Sequence, residues 1–397
     1  MALQKSRKIW LSVHKWLGLV LGIFFVLQGL TGSANVFYRE LDYMANGWLW
    51  EADSTQPWLS LDVLARAAAS RCDDGLEGDV RLEFPYRQDQ APMFICEVGG
   101  SDAFVTVDPK TAEVLGIRDD PGSLQYIIYY LHSELLLGED GKFLLLVLAV
   151  ALLTSTLTGL YLWWPRAGKW RWGFRMRRNA SGFLFWFDLH RVGGIYAVLV
   201  LFIAALTGLY QVVSPAVHDS IESTLGARFP AAYEMPEIAV TESAPTISWQ
   251  SILDTAKAEF PEAAMAEIQY PMDRRDAILV VTRQPGERRV HGGDSVLWLH
   301  PQSGKVVGKF DSATDAGAGD RVLLSLFSFH TGQEFGLVHR WLVFFGGLTP
   351  ALLFVSGFVV WRYKVRQKAG VKQRKKNNAS PDSPSRRVQT TKAGDMP

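Results

Sequence analysis

His14-Lys15-Trp16-Leu17-Gly18 and Leu30-Thr31-Gly32 lie in an apolar run at residues 9–37, and His190-Arg191-Val192-Gly193-Gly194 and Leu206-Thr207-Gly208 lie in a similar run at 182–213. The offset is 176 positions in both cases, 14 to 190 and 31 to 207. A second set, His132, Gly138, Gly159 and Trp163, recurs as His330, Gly336, Gly357 and Trp361 at a constant offset of 198, around the runs 142–164 and 337–361. Repetition at a fixed spacing speaks to architecture before any local propensity does. It reads here as a unit of two apolar runs used twice.

Each run is long enough to cross a hydrocarbon core of about 30 Å, which takes about 20 helical residues. With 48% hydrophobic and 20% charged residues, the average composition resembles that of a soluble protein and hides these runs. The first follows Lys5, Arg7 and Lys8. It exceeds the roughly 7–15 apolar residues of a secretory signal and continues into Asn35-Val36-Phe37 without a cleavage site, so it reads as a retained helix. A net charge of +1 points to no nucleic-acid partner.

Basic residues mark the untranslocated side of a membrane. They gather at Lys5, Arg7, Lys8 and Lys15, in the acid-free loop set Arg166, Lys169, Arg171, Arg175, Arg177 and Arg178, and after Trp361. The expected protein is therefore a multi-pass protein of the bacterial inner membrane with both termini cytoplasmic. Its expected order is a terminus and first span at 1–37, a periplasmic insert at 38–125, and an interfacial segment with the second span at 126–164. A cytoplasmic loop at 165–181, the third span at 182–213 and a second periplasmic insert at 214–322 follow. An interfacial segment with the fourth span occupies 323–361, and a basic tail at 362–397 is expected to be disordered.

The inserts repeat as well. Asp108-Pro109-Lys110-Thr111-Ala112-Glu113-Val114-Leu115-Gly116 parallels His300-Pro301-Gln302-Ser303-Gly304-Lys305-Val306-Val307-Gly308, a turn between alternating apolar stretches. An amphipathic stretch precedes each (59–71 and 249–260), and strands are expected at 80–84 and 278–281. Each insert is read as one helix against a small antiparallel sheet, so the fold class is α+β with four transmembrane helices. Cys72 and Cys96, both in the first insert, are open to two readings: a disulfide in an oxidising compartment, or two buried thiols.

Five histidines fall in or beside the runs: His14, His132, His190, His330 and His339. Ionisable residues at membrane depth are functional candidates, although a histidine bonded to a backbone carbonyl also serves structure. The repeat places His14 with His190 and His132 with His330 as two symmetric imidazole pairs. That arrangement suits axial ligation of two haems better than a four-ligand metal site. His339 has Gly141 as its counterpart and ranks below the others, as an alternative ligand to His330 or a partner for a propionate. Tyr129 and Tyr130 stand beside His132, and Gly18, Gly22, Gly29, Gly32, Gly193, Gly194 and Gly208 suit either a flat cofactor or close helix packing.

On its His-Lys-x-Leu-Gly start, its Leu-Thr-Gly steps and the Asp108 to Gly116 hairpin, the chain resembles the PepSY-associated transmembrane (PiuB-like) family over about residues 5–365. The resemblance implies that the inserts are PepSY-like modules. It further implies a reductase of ferric siderophores holding two b-type haems, with His14 and His190, and His132 and His330, as axial ligands. An electron would enter from a cytoplasmic or quinol donor, reach the outer pair and reduce siderophore-bound Fe(III). The second insert departs from the pattern, with His300 at the place of Asp108. Rival expectations are a haem-free PepSY-type regulatory or binding protein and a siderophore transport accessory. No catalytic acid, base or nucleophile and no nucleotide-binding glycine fingerprint stands out.

Overall fold

The computed structural model describes residues 2–73, 75, 80–119, 123–165, 169–177, 179–213, 215–228, 238, 246–270, 276–289 and 292–379. The chain forms two compact units, one of residues 1–29, 151–202 and 348–397, the other of 30–150 and 203–347.

The apolar runs become helices α1 (Ala2–Val20), α2 (Gly22–Val36), α6 (Glu139–Trp163), α8 (Phe183–Val212) and α12 (Gly336–Ala379). Among the described residues, three are long and apolar enough to cross a membrane, and α1 with α2 makes a fourth if that bent pair is one span. The first run is helical, as expected, with an axis that turns by 62° between Val20 and Gly22. The bend falls at Gly22, where the Phe354 ring lies so close that a Cβ would sit 2.3 Å from its Cδ2. Glycine gives the helix both the room and the low propensity for such a turn.

The tail reading also changes. Helix α12 carries on through Lys364, Arg366, Gln367 and Lys368 to Ala379. These are strong helix formers that extend an existing helix without a new nucleus. Residues 380–397 lie outside the described residues.

The inserts form the second unit with helices α3 (Tyr38–Trp50), α4 (Leu61–Ala69), α5 (Leu124–Glu134), α9 (Pro215–Leu225), α10 (Trp249–Glu259) and α11 (Ala318–Thr331), and strands β1 (Val80–Glu83), β2 (Met93–Val98), β3 (Ser101–Val107), β4 (Val114–Asp119), β5 (Ala264–Tyr270), β6 (Ile278–Arg283), β7 (Ser295–Leu299) and β8 (Val306–Phe310). The short α7 (Trp170–Gly173) belongs to the first unit. Two separate small sheets were expected. Among the described residues there is one sheet of eight strands in the order β4-β3-β2-β1-β5-β6-β7-β8, joined where β1 pairs antiparallel with β5 from Val80↔Tyr270 to Glu83↔Glu267. An open edge of backbone donors and acceptors is satisfied by pairing, and each four-strand meander supplies such an edge to the other.

Alternation along the strands sets one face of this sheet. Val80, Leu82, Phe94, Val105, Val107, Ile268, Ile278, Val280, Leu297 and Leu299 are buried against Leu61, Leu64 and Ala68 of α4 and Ile252, Ala256 of α10. Each such aliphatic side chain contributes roughly 1.5–3 kcal/mol by leaving water. Ser60 and Ser248 cap the two helices, accepting from Asp62 N and Ser251 N. Cys72 and Cys96 form a disulfide that ties the end of α4 to β2. Replacing both with serine should lower stability by about 3 kcal/mol, the effect of opening a loop of this length. A melting point in detergent unmoved by the double substitution would contradict this.

The departure at His300 has a local explanation. Asp108 Oδ1 accepts from Lys110 N and Thr111 N, at 2.8 and 3.0 Å. His300 Nδ1 accepts from Gln302 N and Ser303 N, at 3.2 and 3.4 Å. In both turns the next backbone bond closes on a residue with positive φ, Ala112 or Gly304. An aspartate and a histidine thus carry out the same turn-capping task.

Candidate functional site

The histidines of the first unit sit on α1 and α8. Their rings meet edge-on, with centroids 6.1 Å apart and planes at 76°. His14 Nδ1 lies 3.1 Å from the Ser155 carbonyl and 3.2 Å from Thr158 Oγ1, both on α6. His190 Nδ1 lies 3.0 Å from the Leu353 carbonyl and 3.1 Å from Ser356 Oγ, on α12. The second unit repeats this arrangement with His132 on α5 and His330 on α11, centroids 6.0 Å apart. Thr31 Oγ1 of α2 is 3.1 Å from His132 Nδ1, and Thr207 Oγ1 of α8 is 3.0 Å from His330 Nδ1.

In all four cases the residue after the hydroxyl is glycine, and the imidazole lies on it. A Cβ at Gly159 would stand 3.2 Å from His14 Cε1, at Gly357 3.1 Å from His190 Cε1, at Gly32 2.7 Å from His132 Cε1 and at Gly208 3.0 Å from His330 Cε1. A hydroxyl-glycine step on one helix thus cradles a histidine from another, four times. From the sequence Gly32 and Gly208 were expected to serve packing or cofactor space and Gly159 and Gly357 stood only as matched repeat positions, with the hydroxyls overlooked; the dipeptides Thr31-Gly32, Thr158-Gly159, Thr207-Gly208 and Ser356-Gly357 were the available signal.

The hydrogen bonds also fix the tautomer. A carbonyl only accepts, so His14 and His190 donate from Nδ1 to Ser155 and Leu353. Thr207 donates its own proton to the Ile203 carbonyl at 2.7 Å, which leaves its oxygen to accept from His330. An imidazole protonated at Nδ1 carries its lone pair on Nε2, the form that binds a metal, and the donated bond raises its basicity. Burial also pushes the His330 pKa below its usual value, against a smaller opposing contribution from the Ala204 carbonyl, so the ring stays neutral.

The spacing fits one metal between each pair. Two imidazole–metal bonds of about 2 Å, with about 1 Å more from each nitrogen to its ring centre, place the centroids about 6 Å apart. Among the described residues no group of three or more His, Cys, Asp and Glu is arranged to hold a bare ion. Two imidazoles at this spacing could hold the iron of a haem, whose macrocycle would supply the other donors.

His330 faces His132, whereas His339 packs on Phe329 and Phe335, with centroids 5.7 and 5.4 Å away, and its Nδ1 is buried without a hydrogen-bond partner. Tyr130 meets Tyr126 in a tilted contact and Tyr129 edge-on. At Gly141, the counterpart of His339, the Glu134 carbonyl lies where a Cβ would stand, at 1.6 Å, so no side chain fits.

Arg340, next to His339, braces this unit. Its guanidinium donates to the Val36 carbonyl, at 2.6 and 3.2 Å, and to both oxygens of Glu40, at 2.6 and 2.8 Å. It thereby satisfies a carbonyl orphaned at the end of α2. Partial burial opposes ionisation of Glu40, yet the Arg340 bonds hold its carboxyl below the ordinary range. Arg340→Leu is expected to lose about 2 kcal/mol of stability, the contribution of charge-assisted hydrogen bonds. A thermal unfolding midpoint equal to wild type would refute that role.

The helices and the site define a multi-pass membrane protein with an attached α+β sheet unit and two facing histidine pairs. The chain belongs to the PepSY-associated TM region family, whose model matches residues 11–364. No curated protein matches the chain.

Proposed function

We propose that the chain is an inner-membrane haem-carrying reductase that delivers electrons across the bilayer to ferric iron held by a siderophore in the periplasm. The observation that carries this reading is the fourfold cradle: four imidazoles, each bonded at Nδ1 and seated on a hydroxyl-glycine step, facing in two pairs. The matching offsets of the two halves support descent from one duplicated unit, and the inserts read as two PepSY-like modules fused edge to edge. The basic residues of the N-terminus, the 165–181 loop and the stretch after Trp361 support a cytoplasmic location for all three. A disulfide in the sheet unit suits an oxidising compartment for the inserts.

His14 with His190, and His132 with His330, would each hold one haem b. Bound haem supplies a centre that takes up and gives back one electron. For each group the chain would provide two imidazoles, held at Nδ1 by Ser and Thr hydroxyls or backbone carbonyls, and glycine surfaces that admit the rings. A centre held by a histidine on each side would suit electron transfer, and the substrate would dock elsewhere. Each Fe(III) takes one electron. Hard oxygen ligands hold the resulting Fe(II) far less tightly, so iron leaves the chelate. The donor is a separate quinol or flavoprotein.

The test is the absorption spectrum of detergent-purified protein, oxidised and dithionite-reduced, with haem counted per chain. Six-coordinate b-type bands at about two haems per chain are expected. A colourless protein from haem-replete cells would overturn the reading in favour of a PepSY-bearing binding protein.

A further inference from the structure

The segment between α6 and α8 is held by a charge cluster that the histidine pairs do not use. Asp188, near the start of α8, is fully buried. Its carboxylate accepts three times from Arg177, from the backbone N at 3.1 Å and from Nε and Nη2 at 2.8 Å each, and it pairs with Arg191 at 3.1 Å. Arg191 in turn donates to the Arg175 carbonyl at 2.9 Å. A buried carboxylate persists where cations and donors meet it this completely, and here they fix residues 175–177 to one place on α8.

The same segment is also fixed to α6. Trp163 donates from Nε1 to the Gly173 carbonyl at 3.1 Å, and a Cβ on Gly173 would stand 2.9 Å from the Trp163 ring. Trp170 meets both Trp163 and Trp164 edge-on. What the pinned segment turns outward is aromatic and cationic. Trp172 is 68% exposed and Trp164 57%, with Lys169, Arg171 and Arg175 exposed beside them in the chain. Large exposed apolar side chains gathered in one place mark an interaction surface.

The partner this surface fits is anionic at one end and apolar at the other. Up to residue 379, Asp188 is the sole acidic residue of its unit, and its charge is already met, so the exposed cations have no counterpart there. Trp164 directly follows α6 and the segment ends where α8 begins, and both helices are long and apolar enough to cross a bilayer. A segment clamped to two spans stays at the level where hydrocarbon meets headgroups, the depth at which tryptophans settle. A soluble acidic protein would meet the arginines and leave the tryptophans unmatched. A phospholipid meets both, with phosphate on guanidinium and acyl chain on indole. We propose that residues 169–177 form a docking platform for anionic phospholipid, with Arg171 and Arg175 on the headgroup, Trp164 and Trp172 along the upper chains, and Asp188 as the keystone that sets its shape.

Native mass spectrometry of the full chain in detergent, titrated with phosphatidylglycerol or with phosphatidylcholine of the same acyl chains, counts the lipid that stays bound. Phosphatidylglycerol is expected to bind at least about tenfold more tightly. Arg171→Gln combined with Arg175→Gln should remove that preference, and both sites are exposed, so the fold is left alone. Asp188→Asn should cut the preference about tenfold with every exposed cation still in place. Lys368→Gln combined with Lys372→Gln takes equal charge from the exposed part of α12 and should change nothing. The proposal falls if the two lipids bind alike, if the double arginine variant keeps the preference, or if the α12 variant loses it equally, which would reduce the effect to net charge. It also falls if inorganic phosphate at equal concentration displaces the lipid, or if an acidic flavodoxin binds the wild type in its place and not the double arginine variant, which would hand the face to a protein. Full preference in a folded Asp188→Asn would remove the keystone role. None of these readouts needs haem or iron, so the result stands apart from the reductase reading.

Discussion

His14→Ala and His190→Ala are each expected to take the purified protein from about two haems per chain to about one, and to stop electron delivery to external ferric chelates. The expectation follows from the pair geometry: with centroids 6.1 Å apart, neither imidazole is replaceable by a neighbouring donor, since no third His, Cys, Asp or Glu completes a metal cluster among the described residues. The second pair behaves alike. His132→Ala should abolish external reduction while leaving the first centre's spectrum, and His330→Ala should match it. Reduced-minus-oxidised spectra with haem quantification read all four variants. Two haems retained in both His14→Ala and His190→Ala would sink this pairing, and an unaltered rate in His330→Ala would move the role to His339.

A single methyl group should do nearly as much damage at Gly32. Alanine there puts Cβ 2.7 Å from His132 Cε1, closer than carbon atoms approach, and the ring is held at the adjacent Nδ1 by Thr31. The ring must turn, and the Nε2 direction with it. Loss of most haem from that pair is expected, with the first pair intact. Gly18→Ala is the control, because nothing lies within 4 Å of its added Cβ. A milder version removes only the hydroxyl: Thr158→Val or Thr207→Val should weaken haem retention by about 10–100-fold through the lost hydrogen bond. If Gly32→Ala and Gly18→Ala hold haem equally well, the cradle has no part in cofactor binding.

Much of this was legible because it is local and periodic. Apolar length marked α6, α8 and α12, and strand alternation marked β1 and β6. The pairing of the histidines was legible through spacing, since His14 and His190, or His132 and His330, stand out only as copies. What escaped depends on contacts between distant residues. The turn of the first run rests on Phe354 lying against Gly22, more than 300 residues away in sequence. The joining of the inserts rests on β1 meeting β5, and neither strand carries a local mark of its partner. Helix α3 was not anticipated, because Tyr38 to Trp50 mixes charged and aromatic residues without a clean stripe. The role of Thr158 and Ser356 lay within reach, since both precede a glycine that had already been matched across the repeat.

The pairing of β1 with β5 also bears on how the protein is made. Val80 leaves the ribosome 190 residues before its partner Tyr270, with α6 and α8 emerging in between. At about 5–20 residues per second, the first meander waits roughly 10–40 s with its β1 edge bare. During that interval the half-built sheet is open to any strand that reaches it, including the same edge on another nascent copy. Biogenesis of this chain therefore has a vulnerable interval set by translation speed, and slowing the ribosome between codons 120 and 260 should raise the yield of misassembled dimers.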